Sequence, residues 1–242
     1  MARMKNRLYE ASINNEGYVM KIIEYHNNKD IWIEFQDEHK AKVHTCYSHF
    51  KNGKVKNPYH KSIYETGYLG QGRYSRRTHS QYYRHWTHMM DRCCNKKVSN
   101  LSDYFHNFQN FAEWCEENYY EIDGEKMCLD KDILIKNNRT YSPNNCMFVP
   151  DRINTLFCKT DKSRGSYPVG CSYNKERDMI EVHCSTLDKR KFLGYYNTIE
   201  EAFNSYKTFK ESYIKQVADE YKDLIPQKLY EAMYNYEVEI ND

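Results

Sequence analysis

Between Thr198 and Tyr221 the apolar residues Ala202, Phe203, Tyr206, Phe209, Tyr213, Val217 and Tyr221 recur at the spacing of one face of an α-helix. Thr198 lies one capping-box spacing ahead of Glu201, so the start of that helix is marked as well. An apolar stripe must be buried against something, and the residues just upstream supply the partner. VGCSYN, DMIEVHCST and KRKFLGYYN read as three short strands separated by polar turns. The pattern predicts a three-stranded sheet packed on a long helix. Pro226 ends or interrupts the helix, and QKLYEAMYNY offers a shorter one after it.

The rest of the chain is built from equally short segments. Tyr18 to Tyr25 and Ile31 to Phe35 are rich in β-branched and aromatic residues and flank the turn HNNKD, which predicts a hairpin. A third strand near Lys42 to Cys46 completes a small sheet, closed by SHFKNGKVKNPY. Tyr82, Trp86, Met89, Met90 and Cys93 share one helical face, as do Phe108, Phe111, Ala112 and Cys115. CLDKDILI and SPNNCMFV read as two strands around the turn NNRT, and DRINTLF as one or two helical turns after Pro150. TDKSRGSYP reads as a polar connector. The expected fold class is α+β and multi-module: a small β module over 1–66, a basic linker over 67–81, a helix-and-hairpin domain over 82–160, and the sheet-plus-helix domain with its helical tail over 167–242.

Charge and composition narrow the partners. Lysine and arginine number 36 against 34 acidic residues, so no global field draws in a polyanion and any nucleic-acid site must be local. The 24 tyrosines suit the shallow cores of several small modules. Nine cysteines include no CxxC pair, and Cys93 and Cys94 are adjacent, which predicts reduced thiols rather than a disulfide or zinc framework. The opening MARMKNRLYE has no apolar signal core and no run approaches membrane length, so a cytoplasmic location without a membrane partner is expected.

The stretch LDKDILIKNNRTYSPNNCMFVPDRIN resembles the ββα-metal hairpin of phage HNH homing-type endonucleases. YRHWTHMMDRCC and FHNFQNFAEW are similar to the helical segments that precede that hairpin in a phage subgroup, so the likeness runs from about Tyr82 to Asn154. It implies a hard divalent cation such as Mg2+, held beside the scissile phosphate while a neighbouring base activates water. By that resemblance Asp130 takes the acidic metal-side position, Asn145 the central bracing position and Asn154 the third. Lys131 occupies the place of the general-base histidine, and a lysine protonated at neutral pH is a poor base. Asp132 as a second carboxylate for metal or water, or His106 reaching in from the preceding segment, would be the replacements.

The residues YPVGCSYNKERDMIEVHCSTLDKRKFLGYYNTIEEAFNSY resemble the plant ethylene-response (apetala) DNA-binding domain that phage HNH proteins often carry, through Gly194, Tyr195, Thr198, Glu200, Glu201 and Ala202. The implied partner is double-stranded DNA, read by strands lying in the major groove. Tyr173, Lys175 and Arg177 flank the first turn, and Lys189, Arg190 and Lys191 crowd the second, as candidates for phosphate or base-edge contact. Arg73, Arg76 and Arg77, interleaved with Tyr74, Tyr82 and Tyr83 and preceded by Lys54 and Lys56, form a second candidate, a phosphate-tracking arm. Each cation alone has the simpler reading of a solvated surface residue. Three functions therefore stay open: a metal-dependent HNH-type nuclease, a non-catalytic DNA-binding regulator with a degenerate HNH core, and a phage inhibitor that binds a host defence protein.

Overall fold

The computed structural model describes residues 7–158, 167–240 and 242, and most of the expected connector TDKSRGSYP lies outside them. The architecture is α+β, with several separate small sheets. The chain divides into two compact units: Met1–Glu117 with Tyr141–Pro143, and Asn118–Thr140 with Asn144–Asp242. The segment 82–160, expected as one domain, contributes to both. Among the described residues no helix is long and apolar enough to cross a membrane.

The first unit opens with an antiparallel meander, β1 (Ala11–Ile13), β2 (Val19–Asn27), β3 (Asp30–Phe35) and β4 (Lys42–Thr45), whose order in the sheet follows the chain. Alternation along β2 and β3 turns Met20, Ile22, Ile31, Ile33 and Phe35 to one side, where Ala41, Phe50 and Val55 complete a core. Three of the strands were expected. The additional strand β1 is too short to show a period of its own and is set by pairing with Val19–Lys21 of β2. The segment expected to close the sheet does so as a short helix, α1 (Tyr47–Lys51), that inserts Phe50.

Aromatic packing organises the remainder of this unit. From α2 (Ser80–Met90), Trp86 donates its indole N–H to the Phe105 carbonyl at 2.8 Å and packs on Phe108 at 5.5 Å. A two-residue strand, β5 (Asn100–Leu101), leads to α3 (Phe108–Asn118), whose Phe111 meets Phe105 edge-on at 5.1 Å. The expected linker 67–81 leaves residues 71–73 and 75–78 exposed but is tied at intervals. It is strapped down by Gln109, which donates to the carbonyls of Leu69 and Tyr74 at 3.0 and 2.9 Å and accepts the Tyr74 N–H. A Cβ at Gly67 would lie 2.7 Å from the terminal methyl of Met90 and 3.0 Å from the Trp86 ring, so a larger residue there would ask both side chains to give.

The first strand of the second unit is β6 (Met127–Asp130); after β7 (Thr140–Tyr141), at whose Tyr141 the chain returns to the first unit, comes β8 (Met147–Pro150), which pairs antiparallel with β6 and runs into α4 (Asp151–Phe157). A hairpin was expected here, but with a longer first strand. Strand β6 stops at Asp130 because its carboxylate accepts the next turn's backbone N–H groups, which bends the chain away from the ladder. Then come β9 (Cys171–Asn174), β10 (Met179–Ser185) and β11 (Arg190–Tyr196), an antiparallel sheet with β10 in the middle and a bulge between Val182 and His183.

Helix α5 (Ile199–Tyr221) follows, and α6 (Gln227–Tyr234) starts after Pro226. Thr198 caps α5 as its spacing with Glu201 predicts, each side chain bonding the other's backbone N–H. At 23 residues α5 extends over roughly 34 Å at helical rise. Its stripe serves two cores rather than one. Ala202 and Tyr206 pack with Cys171, Ile180, Val182 and Cys184 of the sheet. Ile214, Val217, Ala218 and Tyr221 pack with Ile133, Met147, Val149, Ile153 and Leu156 of the hairpin and α4, and with Leu229 and Met233 of α6.

Truncation of Ile214, which is fully buried in the second of these cores, is expected to lower unfolding free energy by about 2–5 kcal/mol. Thr198→Ala removes only a cap and should cost about 1 kcal/mol. Urea denaturation of both variants compares them, and equal small losses would mean that the distal half of α5 is not a core element.

Candidate nucleic-acid interface

Two groups of expected site residues lie in the second unit: the hairpin carboxylates and the three-stranded sheet. In the hairpin, Asp130 is half-buried and its Oδ1 accepts the N–H groups of Asp132 at 2.8 Å and Ile133 at 2.7 Å. Burial, and then the nearby Asp132 carboxylate, push the Asp130 carboxyl up to about 6 against the pull of those two N–H groups. Lys131 is buried, 8% exposed, and its ammonium donates to Asp132 Oδ2 at 3.0 Å.

The brace of the loop is Asn138, within the expected turn NNRT. Its Nδ2 donates to the carbonyls of Lys131 at 2.6 Å and Thr140 at 2.9 Å, and its Oδ1 accepts the Thr140 N–H. Asn145, expected in that role, reaches the loop through Asn138, donating to its Oδ1 at 3.4 Å. Asn154 is half-buried on α4, and its carbonyl accepts from the Cys158 thiol at 3.5 Å. His106 belongs to the first unit, where its ring lies 3.7 Å from Asp103.

This donor set fits a divalent cation poorly. Such ions take about six oxygen ligands, and among the described residues no three His, Cys, Asp or Glu side chains gather to hold one. Of the two expected metal ligands, Asp130 spends Oδ1 on backbone N–H groups and Asp132 spends Oδ2 on Lys131. The lysine already supplies a positive charge beside the pair.

The sheet presents two different faces. Ile180, Val182 and Cys184 of β10 are buried under α5, so Glu181 and His183 between them point away from it. Register adds their neighbours: Glu181 lies opposite Ser172 and Tyr195, and His183 opposite Phe192. Phe192 is 47% exposed, with His183 at 5.3 Å on one side and Tyr195 at 4.9 Å on the other. The Arg177 guanidinium stands 4.7 Å over the Tyr195 ring. At the centre, Glu181 accepts from Asn174 at 3.1 Å and Ser172 at 3.2 Å, and the Asn174 bond leads in holding its carboxyl below the usual range.

Strand geometry sorts the expected DNA-contacting residues. Lys175, Arg177 and Lys189 are exposed in the turns, and Arg190 opens β11 opposite Ser185 on the side away from α5. Lys191, the next residue, faces the other way, with its ammonium 4.5 Å over the Phe209 ring of α5. Tyr173 lies opposite Ile180 on the helix side, stacks on Tyr167 and donates its hydroxyl to Asp178. The basic triplet of the second turn is therefore split between the two faces, and Phe192 and Tyr195 share the face of Arg190. Buried Ile180, Val182 and Cys184 carry the signal for this, because strand alternation assigns every second residue to the open face.

In the first unit, Arg73 is paired with Glu116 and donates to the Tyr74 hydroxyl at 2.6 Å. Arg76 and Arg77 are exposed. No family model, curated protein or solved structure matches the chain.

The Asp130 environment yields a pH dependence. A carboxyl held above its unfolded value, about 3.9, contributes stability that is present at lower pH and lost as pH rises through about 6. Asp130→Asn keeps the Oδ1 acceptor and abolishes the titration. Urea midpoints between acidic and neutral pH should show wild type losing stability relative to the variant as pH rises. Parallel profiles would refute the assignment.

Proposed function

We propose that the chain is a phage-type protein of the host cytoplasm that binds double-stranded DNA through the open face of β9–β11, with the HNH-like hairpin serving as a support rather than a cleavage centre. The observation that carries this reading is the face itself. Helix α5 covers one side of the sheet, while the other leaves Arg177, Arg190, His183, Phe192 and Tyr195 at the surface. Basic and acidic residues nearly balance over these strands: Asp188 lies 3.9 Å from Arg152 and Glu181 3.9 Å from His183, Asp178 accepts from Tyr173, and Glu176 is exposed in the first turn.

The chemistry suits a groove. A B-DNA major groove, about 12 Å wide, admits strands whose side chains meet base edges. The turn cations Lys175 and Lys189 flank the face where phosphates would border that groove. Phe192 offers an apolar contact of the kind that recognises a thymine methyl. For the hairpin, Lys131 neutralises Asp132 and Asp130 anchors the loop, so both carboxylates have structural work. Those commitments support a non-catalytic role.

Two measurements test the proposal. Retardation of duplex DNA is expected to weaken steeply with added salt, and Arg190→Ala should flatten the log–log salt dependence by about 0.9 per lost phosphate contact. Lys191→Ala, on the helix side, should leave that slope unchanged, and equal effects of the two substitutions would reject the face. Plasmid nicking with Mg2+ or Mn2+ should be absent. Cleavage that disappears in Asp130→Ala would return the hairpin to catalysis, and failure to retard duplex at any salt would favour a protein partner.

A further inference from the structure

The first unit carries a charge pattern of its own, apart from the sheet. From Arg73 to Ser102 seven lysines and arginines accompany one acid, Asp91. That acid is committed within the unit: it pairs with Lys96 at 2.6 Å and accepts from Asn95 at 2.9 Å and Tyr64 at 3.1 Å. The Lys96 bond, and then the Asn95 bond, hold its carboxyl down to about 2. Helix α2 buries Trp86, Met89 and Met90, and its exposed residues Ser80, Arg84 and His88 fall at every fourth position on the opposite side. Exposed Arg76 extends the row one step before the helix, and exposed Arg92 one step beyond it, on the π-helical turn Asp91–Asn95. Both ends are held in place. The turn bearing Arg76 is closed by the Ser75 hydroxyl, which accepts the Thr78 N–H at 3.1 Å, and by the His79 N–H on the Ser75 carbonyl at 2.8 Å. At the other end the Arg92 guanidinium lies 6.0 Å over the Tyr141 ring.

We propose that this row, Arg76, Arg84, His88 and Arg92, is a second nucleic-acid contact, one that grips the phosphate backbone of double-stranded DNA without reading its sequence. It goes beyond the sheet reading and does not depend on it. A helix face that meets only water interleaves its charges. Helix α5 does so, pairing Lys207 with Glu211 at 3.3 Å and setting Lys215 among Asp219 and Glu220. Helix α2 contains no acid, so its cations go uncompensated until an anion arrives. Arginine dominates the row, and a guanidinium offers two parallel N–H bonds to a phosphate. Arg84 and Arg92 stand two turns apart, about 12 Å along the helix, which is comparable with the roughly 12 Å width of a major groove walled by phosphates. The apolar residues of α2 are buried or half-buried, so the face lacks the anchor that a lipid surface would take up.

The test uses the full chain and two duplexes, one A·T-rich and one G·C-rich. In the double variant Arg84→Ala/Arg92→Ala the log–log salt slope should fall by about 1.8, or about 0.9 for each lost phosphate contact, with the same fold-loss of affinity on both duplexes. Arg84→Lys/Arg92→Lys should keep most of the slope, because charge is what the contact uses. Lys29→Ala removes an exposed lysine from the β2–β3 turn and should leave the slope unchanged. Equal urea midpoints establish that the variants fold. A slope no lower in the double alanine variant than in Lys29→Ala, while wild type binds duplex, overturns the α2 contact and leaves the sheet reading standing. Loss of slope in the double variant with none in Arg190→Ala does the reverse. Anionic vesicles that sediment wild type but not the double variant, with duplex affinity unchanged, overturn the proposal in favour of a lipid surface. No retardation of duplex by wild type at any salt overturns both.

Discussion

The second unit depends on one shared surface, the apolar stripe of α5. Its first half closes the sheet core through Ala202 and Tyr206, and its second half closes the hairpin core through Ile214, Val217 and Ala218. Neither the three-stranded sheet nor the short hairpin has a second layer of its own of comparable size, and small sheets need such a layer to be stable. Loss of the hairpin would expose half of α5, so the hairpin has a reason to persist whatever becomes of its chemistry.

Much of the architecture was readable because its segments obey strong local rules. The Thr198–Glu201 cap, the three strands before it, the break at Pro226 and the helices around Trp86 and Phe111 all announce themselves through spacing. What could not be read were features set by tertiary contact. Strand β1 exists because β2 offers it an edge, the Gly67 strap because Trp86 lies beneath it, and the division of the α5 stripe because two different layers compete for it.

The candidate site residues followed the same divide. Clusters of cations are visible in any sequence, but which of them share a face depends on alternation and register. Arg190 and Lys191 are neighbours in the chain and face opposite sides of the sheet, while Arg177 and Tyr195 are separated in the chain and stacked in space. Asn138 illustrates the same limit in the hairpin: a turn asparagine among several becomes the brace because its amide reaches two carbonyls.

The bulge between Val182 and His183 has a geometric effect on what the sheet can meet. An extra residue in one strand increases local right-handed coiling, so the end of the ribbon bearing His183 and Phe192 curls relative to the end bearing Glu181 and Tyr195. A surface coiled in this way cannot lie flush against a planar object, and its edges are poor templates for stacking onto another sheet. A duplex groove winding with the same hand is the partner that the DNA-binding proposal would set against it.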